Sequence, residues 1–473
     1  MTVPSYQFLA FALMVALVVR LIRFEPLRNV AILTANVLFL ASFAGSPVLF
    51  IPFAGFVLFG FAVMRALQSK RVSTLWIWVA ATVLLFCWIK RYSVVPPLLF
   101  IPGPYVTVGL SYIFFRMLSL IIDVGQGATT KRIGLLEYLN YTLNFTCITA
   151  GPIQLYEDYL HAHIPFSAHT LGVSAERITR GLFKVLIVSE VLNAFLHHVI
   201  ASAAEPGDFA TRSYYSALLV SIYPFFLYFN FSGYTDFVIG CAALMGLRLP
   251  ENFDRPFTSR SFIEFWSRWH ISLSNWLKTY VYNPLLSAML RRIESASIGP
   301  FLAVIAFFVT FFLVGAWHGQ TSEFLFFGLL QGGGVSVNKL YQVLALRWLG
   351  RQGYKALAAN PLYAAICRGL TFAWFGFSLL WFWSNWDQLR EFVGQLGAVS
   401  IVLGVLEVVV VATLALQLWV WVHDGALQLR VRGSALVESR YLRTALCTAA
   451  VAALLFTGVV LNAPAPEIVY KTF

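Results

Sequence analysis

Residues 298–316, IGPFLAVIAFFVTFFLVGA, run nineteen positions without a charge. As a helix rising about 1.5 Å per residue, such a run reaches about 30 Å, the thickness of a bilayer's hydrocarbon core. Lipid offers no partner to a backbone N–H or C=O, so a spanning segment must be a helix or a strand of a closed barrel. A barrel shows alternating segments of about ten residues, and none are visible here. Comparable apolar runs recur near 5–22, 29–46, 49–67, 74–94, 106–124, 178–200, 211–229, 231–248, 321–345, 364–385, 398–422 and 441–461. Of 473 residues, 59% are hydrophobic and 11% charged, against about 25% charged in soluble domains. The chain is therefore predicted to be an all-α polytopic membrane protein, with residues 1–473 in one integral-membrane domain. The apolar segment 136–157 is broken by TAGP. That pattern suits a re-entrant piece buried against protein, where non-helical backbone finds partners.

The net charge of +12 has its explanation in the ends of the helices. Arg20, Arg23 and Arg28, then Arg65, Lys70 and Arg71, then Lys131 and Arg132, mark basic loops. So do Arg291 and Arg292, then Arg347, Arg351 and Lys355, and last Arg430, Arg432, Arg440 and Arg443. The stretches SPVLFIP, AAEPGDFATR and SNWDQLREF lack such an excess. The positive-inside rule puts the first set in the cytoplasm and the second outside, and only Lys90 and Arg91 break the pattern. No nucleic-acid-binding motif competes for the positive charge, so no nucleic acid is expected as a partner. The five cysteines, Cys87, Cys147, Cys241, Cys367 and Cys447, form no C-x-x-C pair and lie in apolar surroundings. They are expected to be small buried hydrophobes. The N-terminus lacks a basic leader and a small-residue cleavage site, and is expected to be a retained first helix.

The least hydrophobic long stretch, 249–297, holds EFWSRWHISLSNW at 264–276. From Arg260 onward it is predicted to be an amphipathic helix. Arg260, Glu264 and Arg268 share a charged ridge at i, i+4, i+8. Trp266, Trp269, Leu273, Trp276 and Tyr280 form an aromatic stripe. Ser259 or Ser261 supplies the N-cap, with Glu264 in the first turn, and Pro284 ends or kinks the helix. An interfacial anchor accounts for the Trp and Arg residues. It does not account for His270, flanked by Trp269 and followed by Ser272, Ser274 and Asn275.

A second histidine, His318, appears after about sixteen apolar residues in the stretch that begins at Phe301. Ionisable residues at membrane depth are costly and are functional candidates by default. Gly315 and Gly319, then Gly328 and Gly332, have the small-xxx-small spacing that lets backbones approach closely. Gln320, Thr321 and Glu323 supply polar company. The remaining histidines carry less. His161, His163 and His169 lie in a polar connection with no third metal ligand evident, and His197, His198 and His423 end apolar helices. Histidine titrates near neutrality, so it suits taking a proton from a hydroxyl and returning one to a leaving group. No G-x-S-x-G elbow, Walker loop or dinucleotide fingerprint is present.

NFDRPFTSRSFIEFWSRWHISLSNWLKTYVYNPL and GAWHGQTSEFLFFGLLQG resemble the two signature blocks of the membrane-bound O-acyltransferases (MBOAT). The resemblance is to the bacterial branch holding the alginate O-acetylation and teichoic-acid D-alanylation membrane proteins. FNFSGYTDFVIGCAALMGLRLPENF at 229–253, GLSYIFFRMLSLIIDV at 109–124 and TAGPIQLYEDY at 149–159 extend it, so the signature core covers about 100–340. Asn230 stands where the family often has Asp. YVYNPLL departs from the alginate-type sequence, and GLSYIFFR and TAGPI lean toward the D-alanylation branch.

The resemblance implies a ring of roughly 11–13 transmembrane helices, with re-entrant helices, around a central tunnel. It implies catalytic roles for His318, deep in the tunnel, and His270, nearer the cytoplasm. It makes Trp269, Ser274, Asn275, Trp317 and Gln320 the expected substrate-binding residues. The implied reaction moves an acyl group, acetyl by preference, from a cytoplasmic thioester toward hydroxyls of an extracytoplasmic polysaccharide. The implied donor is acetyl-CoA, or the thioester of an acyl carrier protein. A separate polysaccharide-acylating protein is the implied partner, and the bacterial inner membrane the implied location. A thioester is already activated, so no bound cofactor or metal is expected. D-alanyl transfer to a teichoic-acid-like polymer is the alternative within the family. A polysaccharide or lipid transporter is the alternative outside it, though no repeated halves with paired half-helices are visible.

Overall fold

Uncharged runs become helices here because a helix pairs every interior backbone group within itself. The structure, a computed structural model, describes residues 1–69, 74–129, 131–293, 297–431 and 440–460. Lys70, Arg71 and Arg432 of the expected basic loops lie outside the described residues. No strand occurs among those described, only the isolated bridges His163 to Leu247 and Phe253 to Trp269. Among the described residues, six helical segments are long and apolar enough to cross a membrane: Pro47–Gln68, Ala168–Ala203, Phe209–Leu244, Gly299–His318, Pro361–Trp383 and Ala398–Gln428. Three shorter apolar helices accompany them, Tyr6–Leu21, Leu75–Ile89 and Leu442–Gly458. The expected spans at 211–229 and 231–248 are one continuous helix. The expected span at 106–124 is shortened, because its first residues are not helical and the helix begins only at Leu110.

The chain divides into two units. The first takes Met1–Val185, Phe231–Glu251 and a C-terminal piece from Gly458, and the second takes Leu186–Asn230 and Asn252–Thr457.

The first unit holds α1 (Tyr6–Leu21), α2 (Glu25–Ala41), α3 (Ile51–Gln68), α4 (Leu75–Ile89), α5 (Leu110–Gly125), α6 (Leu135–Thr142), α7 (Tyr156–Leu160) and α8 (Ala168–Phe183). Its aromatic centre is Phe8, whose ring meets Phe39, Phe145 and Phe237 at 5.4, 5.7 and 5.7 Å between centroids. The expected break at TAGP is present. Between α6 and α7 the chain is non-helical and buried. Its backbone finds side-chain partners: Phe145 N donates to Asn36 Oδ1 at 2.9 Å, and Ala150 N to the Tyr234 hydroxyl at 3.1 Å. Buried Arg116 donates to the carbonyls of Tyr141 and Thr142, and to Cys147 Sγ at 2.6 Å. Cys147 is therefore an acceptor as well as a small hydrophobe. Arg91, which broke the charge pattern, binds the following loop. It donates to Ile101 O and Gly103 O at 2.9 and 2.7 Å and lies over the Tyr105 ring. Asp236 accepts from Arg177, Arg180 and Lys184 at 3.0, 3.2 and 2.8 Å.

Helix α10 (Phe209–Leu244) belongs to both units. The second unit also holds α9 (Glu190–Ala203), α11 (Phe262–Arg268), α12 (Ile271–Leu277), α13 (Asn283–Arg292), α14 (Gly299–His318), α15 (Ser322–Ala359), α16 (Pro361–Trp383), α17 (Trp386–Leu396), α18 (Ala398–Val431) and α19 (Arg440–Leu455). Helices α14 and α15 form a hairpin, and the expected glycines hold it closed. A Cβ built on Gly315 falls 2.4 Å from Gly328 Cα and 2.3 Å from Phe324 O. A Cβ on Gly332 falls 2.7 Å from Phe308 O. Only glycine permits that approach.

Candidate active site

The segment predicted as one helix from Arg260 is two short helices with a sharp break at His270. Ser261 is the N-cap of α11, accepting from Glu264 N at 3.1 Å. The charged ridge forms as expected: Glu264 pairs with Arg268 at 2.8 Å and accepts the Arg260 backbone N–H at 2.8 Å. The helix then stops because another piece of chain claims its backbone. Arg268 O accepts from Asp254 N at 3.0 Å, Ile271 N donates to Asn252 O at 3.0 Å, and Ser272 N donates to Asn252 Oδ1 at 3.1 Å. His270 is left at φ 45°, ψ 53°, a left-handed conformation uncommon outside glycine. Of the two outcomes expected at Pro284, an end and a kink, the first does not occur: helical residues run through it from α12 to Arg292, with a π-turn over Lys278–Tyr282 just before it.

The break turns His270 toward the end of α14. Its ring centroid is 6.4 Å from Trp317, and Trp317 is 4.5 Å from His318, the last residue of α14. Phe382 of α16 and Phe327 of α15 face His318 at 5.0 and 6.0 Å. His270 and His318 are 1% and 4% exposed, and the two imidazoles are near enough to interact electrostatically. Burial pushes the His270 imidazole down to about 3, so it is neutral at physiological pH. The result is two buried imidazoles bridged by an indole, with aromatic walls.

The other expected site residues scatter. Trp269 is 1% exposed, and its ring packs on Phe253, Phe265 and Phe375. It builds the core behind the site. Ser274 and Asn275 line a cavity of about 180 Å³ with Trp266, Lys278, Thr310 and Phe311. Neither histidine is among the residues lining that cavity. Ser274 Oγ donates to Trp269 O at 3.3 Å. Gln320 is exposed just past His318. His423, expected to be an ordinary helix-end residue, lies 3.2 Å from Arg255 Nη1 in a second, polar cavity. Sequence reasoning passed over Asn252, whose carbonyl and side chain hold the break, and over Phe327 and Phe382. Nothing distinguished those phenylalanines among 43 in the chain.

Residues 72–372 match the family model described as MBOAT, membrane-bound O-acyltransferase family. The chain belongs to that family. Both histidines, His270 and His318, fall within the part of this MBOAT chain that matches. Among its relatives, a "Probable alginate O-acetylase" of Pseudomonas aeruginosa is 33% identical over 242 residues, 50% of this chain and 44% of the relative. A "Teichoic acid D-alanyltransferase" of Bacillus subtilis is 28% identical over 288 residues, 57% of this chain and 67% of the relative. A "Peptidoglycan O-acetyltransferase" of Helicobacter pylori is 31% identical over 215 residues, 44% and 38% of the two chains. The match to the alginate relative thus spans less than half of that protein. Multi-pass membrane insertion follows for this MBOAT chain from the family together with the six long apolar helices.

Proposed function

We propose that this chain is an O-acyltransferase of the bacterial inner membrane. In this reading it takes an acyl group, acetyl by preference, from a cytoplasmic thioester and passes it toward hydroxyls of an extracytoplasmic polysaccharide, with a separate protein completing transfer to the polymer. The observation that carries the reading is the pair of buried imidazoles, His270 and His318, joined through Trp317 inside the family's matched region.

His318 acts as general base on the acceptor hydroxyl, whose oxygen attacks the thioester carbonyl. The carbonyl oxygen becomes an oxyanion, the C–S bond then breaks, and the thiolate leaves with the proton that His318 took. His270 orients the carbonyl or donates to the developing oxyanion. A thioester is already activated, so these residues supply positioning and proton transfer, and no bound cofactor is needed. The aromatic walls at Phe327 and Phe382 keep water from competing with the acceptor.

The test is thiol release from acetyl-CoA by the purified protein, with partner and acceptor supplied. His318→Ala is expected to lower turnover at least about a hundredfold, the scale of a lost general base. Full turnover by a folded, inserted His318→Ala protein would remove the assignment. A transporter releases no thiol at all. D-alanyl transfer is the second reading, favoured by GLSYIFFR, by TAGPI and by the longer coverage of the Bacillus subtilis relative. It requires turnover with an aminoacyl carrier protein and none with acetyl-CoA.

A further inference from the structure

A cavity of about 610 Å³ in the first unit is lined by four cations, Arg20, Arg23, Arg28 and Lys131, and two carboxylates, Glu25 and Glu137. Lys131 and Glu137 neutralise each other at 2.8 Å. Three guanidinium groups then share the cavity with the single carboxylate of Glu25, and none of the three has an ion pair among the described residues. Arg20 is held by neutral acceptors, donating to Leu244 O at 3.0 Å and to Ile164 O and Ala243 O at 3.3 Å. It thereby serves carbonyls that the end of α10 leaves without helical partners. The charged group that acts on Arg20 is a second cation, Arg28. Arg23 and Arg28 make no side-chain hydrogen bond among the described residues.

The cavity adjoins a lipid-facing surface. The turn between α1 and α2 carries Arg23 together with Leu21, Phe24 and Leu27, all of them exposed. Helix α2 turns Glu25, Arg28, Asn29 and Ile32, at i, i+3, i+4 and i+7, to the cavity. Its opposite face, with Leu27, Val30, Val37 and Leu38, is exposed and apolar, as a face against hydrocarbon is. The positive-inside rule puts this end of α1 at the cytoplasmic leaflet, where membranes carry anionic lipid. A soluble anion matches the charge alone. A phospholipid matches both features, with phosphate for the guanidinium groups through parallel N–H···O bonds and acyl chains for the exposed apolar side chains.

We infer that this cavity is a headgroup site for an anionic phospholipid, with the phosphate at Arg23 and Arg28 and the acyl chains on the apolar side of the α1–α2 turn. Arg20 forms its inner wall. Behind Arg20, Ile164 N donates to Gly246 O at 2.8 Å and Arg248 N to Ala162 O at 2.7 Å, which joins the segment before α8 to the end of α10. Gly246 stands at φ 92°, and a Cβ built on it falls 3.2 Å from Arg20 Nη2, so the wall is closely fitted. A headgroup seated there braces α1 and α2 against that wall. The site lies within the first unit, and the inference stands without the acyl-transfer reading.

The test is equilibrium binding of phosphatidylglycerol to the purified full chain in detergent, read by native mass spectrometry against phosphatidylcholine with the same acyl chains. Phosphatidylglycerol is expected to bind at least about fivefold more tightly, the scale of one basic residue at an anionic surface. Arg23→Gln and Arg28→Gln are each expected to shrink that preference several-fold. Arg23 is exposed, so its variant keeps the test valid if Arg28→Gln fails to fold. Arg291→Gln, at the exposed basic end of α13, is the control expected to leave the preference unchanged. Equal affinity for the two lipids overturns the inference. So does a preference that falls equally in Arg291→Gln, which would make it a property of basic loops in general. Glycerol 3-phosphate and inorganic phosphate are expected not to displace the lipid. Displacement by either at the lipid's own concentration marks a site for soluble phosphate and overturns the inference. A variant that loses an acidic protein partner and keeps phosphatidylglycerol does so as well.

Discussion

Two segments of chain hold His270 in a conformation its side chain disfavours. Its φ of 45° persists because Asn252 and Asp254 bind the backbone on either side of it. The same enclosure fixes its protonation. The unfolded chain's imidazole takes a proton near pH 6.5, whereas in the folded protein burial holds it off until about 3. Between those values the unfolded state binds one more proton at this residue, so acid favours unfolding by about 1.4 kcal/mol per pH unit. His270→Gln is therefore expected to lose less thermal stability than the wild type as pH falls from 7 to 5, measured in detergent. Parallel pH profiles for the two proteins would contradict the burial of that ring. Both histidines were legible as ionisable residues set in apolar or aromatic sequence. The partners were not, because Asn252 and Phe382 are distant in sequence and unremarkable in type. Ser274 and Asn275 were grouped with His270 by proximity in sequence, and they line a cavity that neither histidine lines.

At the scale of elements, periodicity found α11 and its cap but not the break after it. A helical pattern reports which residues share a face, and says nothing of a distant strand-like segment that competes for the same backbone groups. The glycine spacing of α14 and α15 was legible for the opposite reason, since small residues at i, i+4 have few uses other than close approach. That contact positions His318, which ends α14 one turn beyond Gly315. Gly328→Val is expected to separate the hairpin and move His318. A side chain there meets Phe312 O at 2.6 Å and Gly315 Cα at 3.1 Å from its first carbon alone. The expected cost is about 1–3 kcal/mol of overpacking, seen as a lower unfolding temperature together with reduced thiol release. Gly333→Ala on the same helix has open space at its Cβ and is the control expected to change neither.

At the scale of the whole molecule, composition and apolar run length were enough to give the all-α polytopic class. The signature blocks were enough to give the family. Where one span stops and the next begins was less legible, since 211–248 carries Pro224 and Asn230 and still folds as the single helix α10. The second half of α10 supplies Asp236, the shared counter-ion of Arg177, Arg180 and Lys184. Removing one partner from such a cluster leaves charges uncompensated. Asp236→Ala is expected to cost about 3 kcal/mol, read as a fall in unfolding temperature and in the amount of inserted protein. Arg180→Ala, whose side chain is 53% exposed, is expected to cost much less.

That cluster also sets an order of events during synthesis. The first unit is not a continuous stretch of chain, for Phe231–Glu251 is made only after Leu186–Asn230 of the second unit has left the ribosome. Arg177, Arg180 and Lys184 therefore emerge roughly fifty residues ahead of the carboxylate that neutralises them, an interval of about 3–10 s at ordinary rates of translation. Through that interval the nascent helix carries three cations without the Asp236 carboxylate that they share in the folded unit.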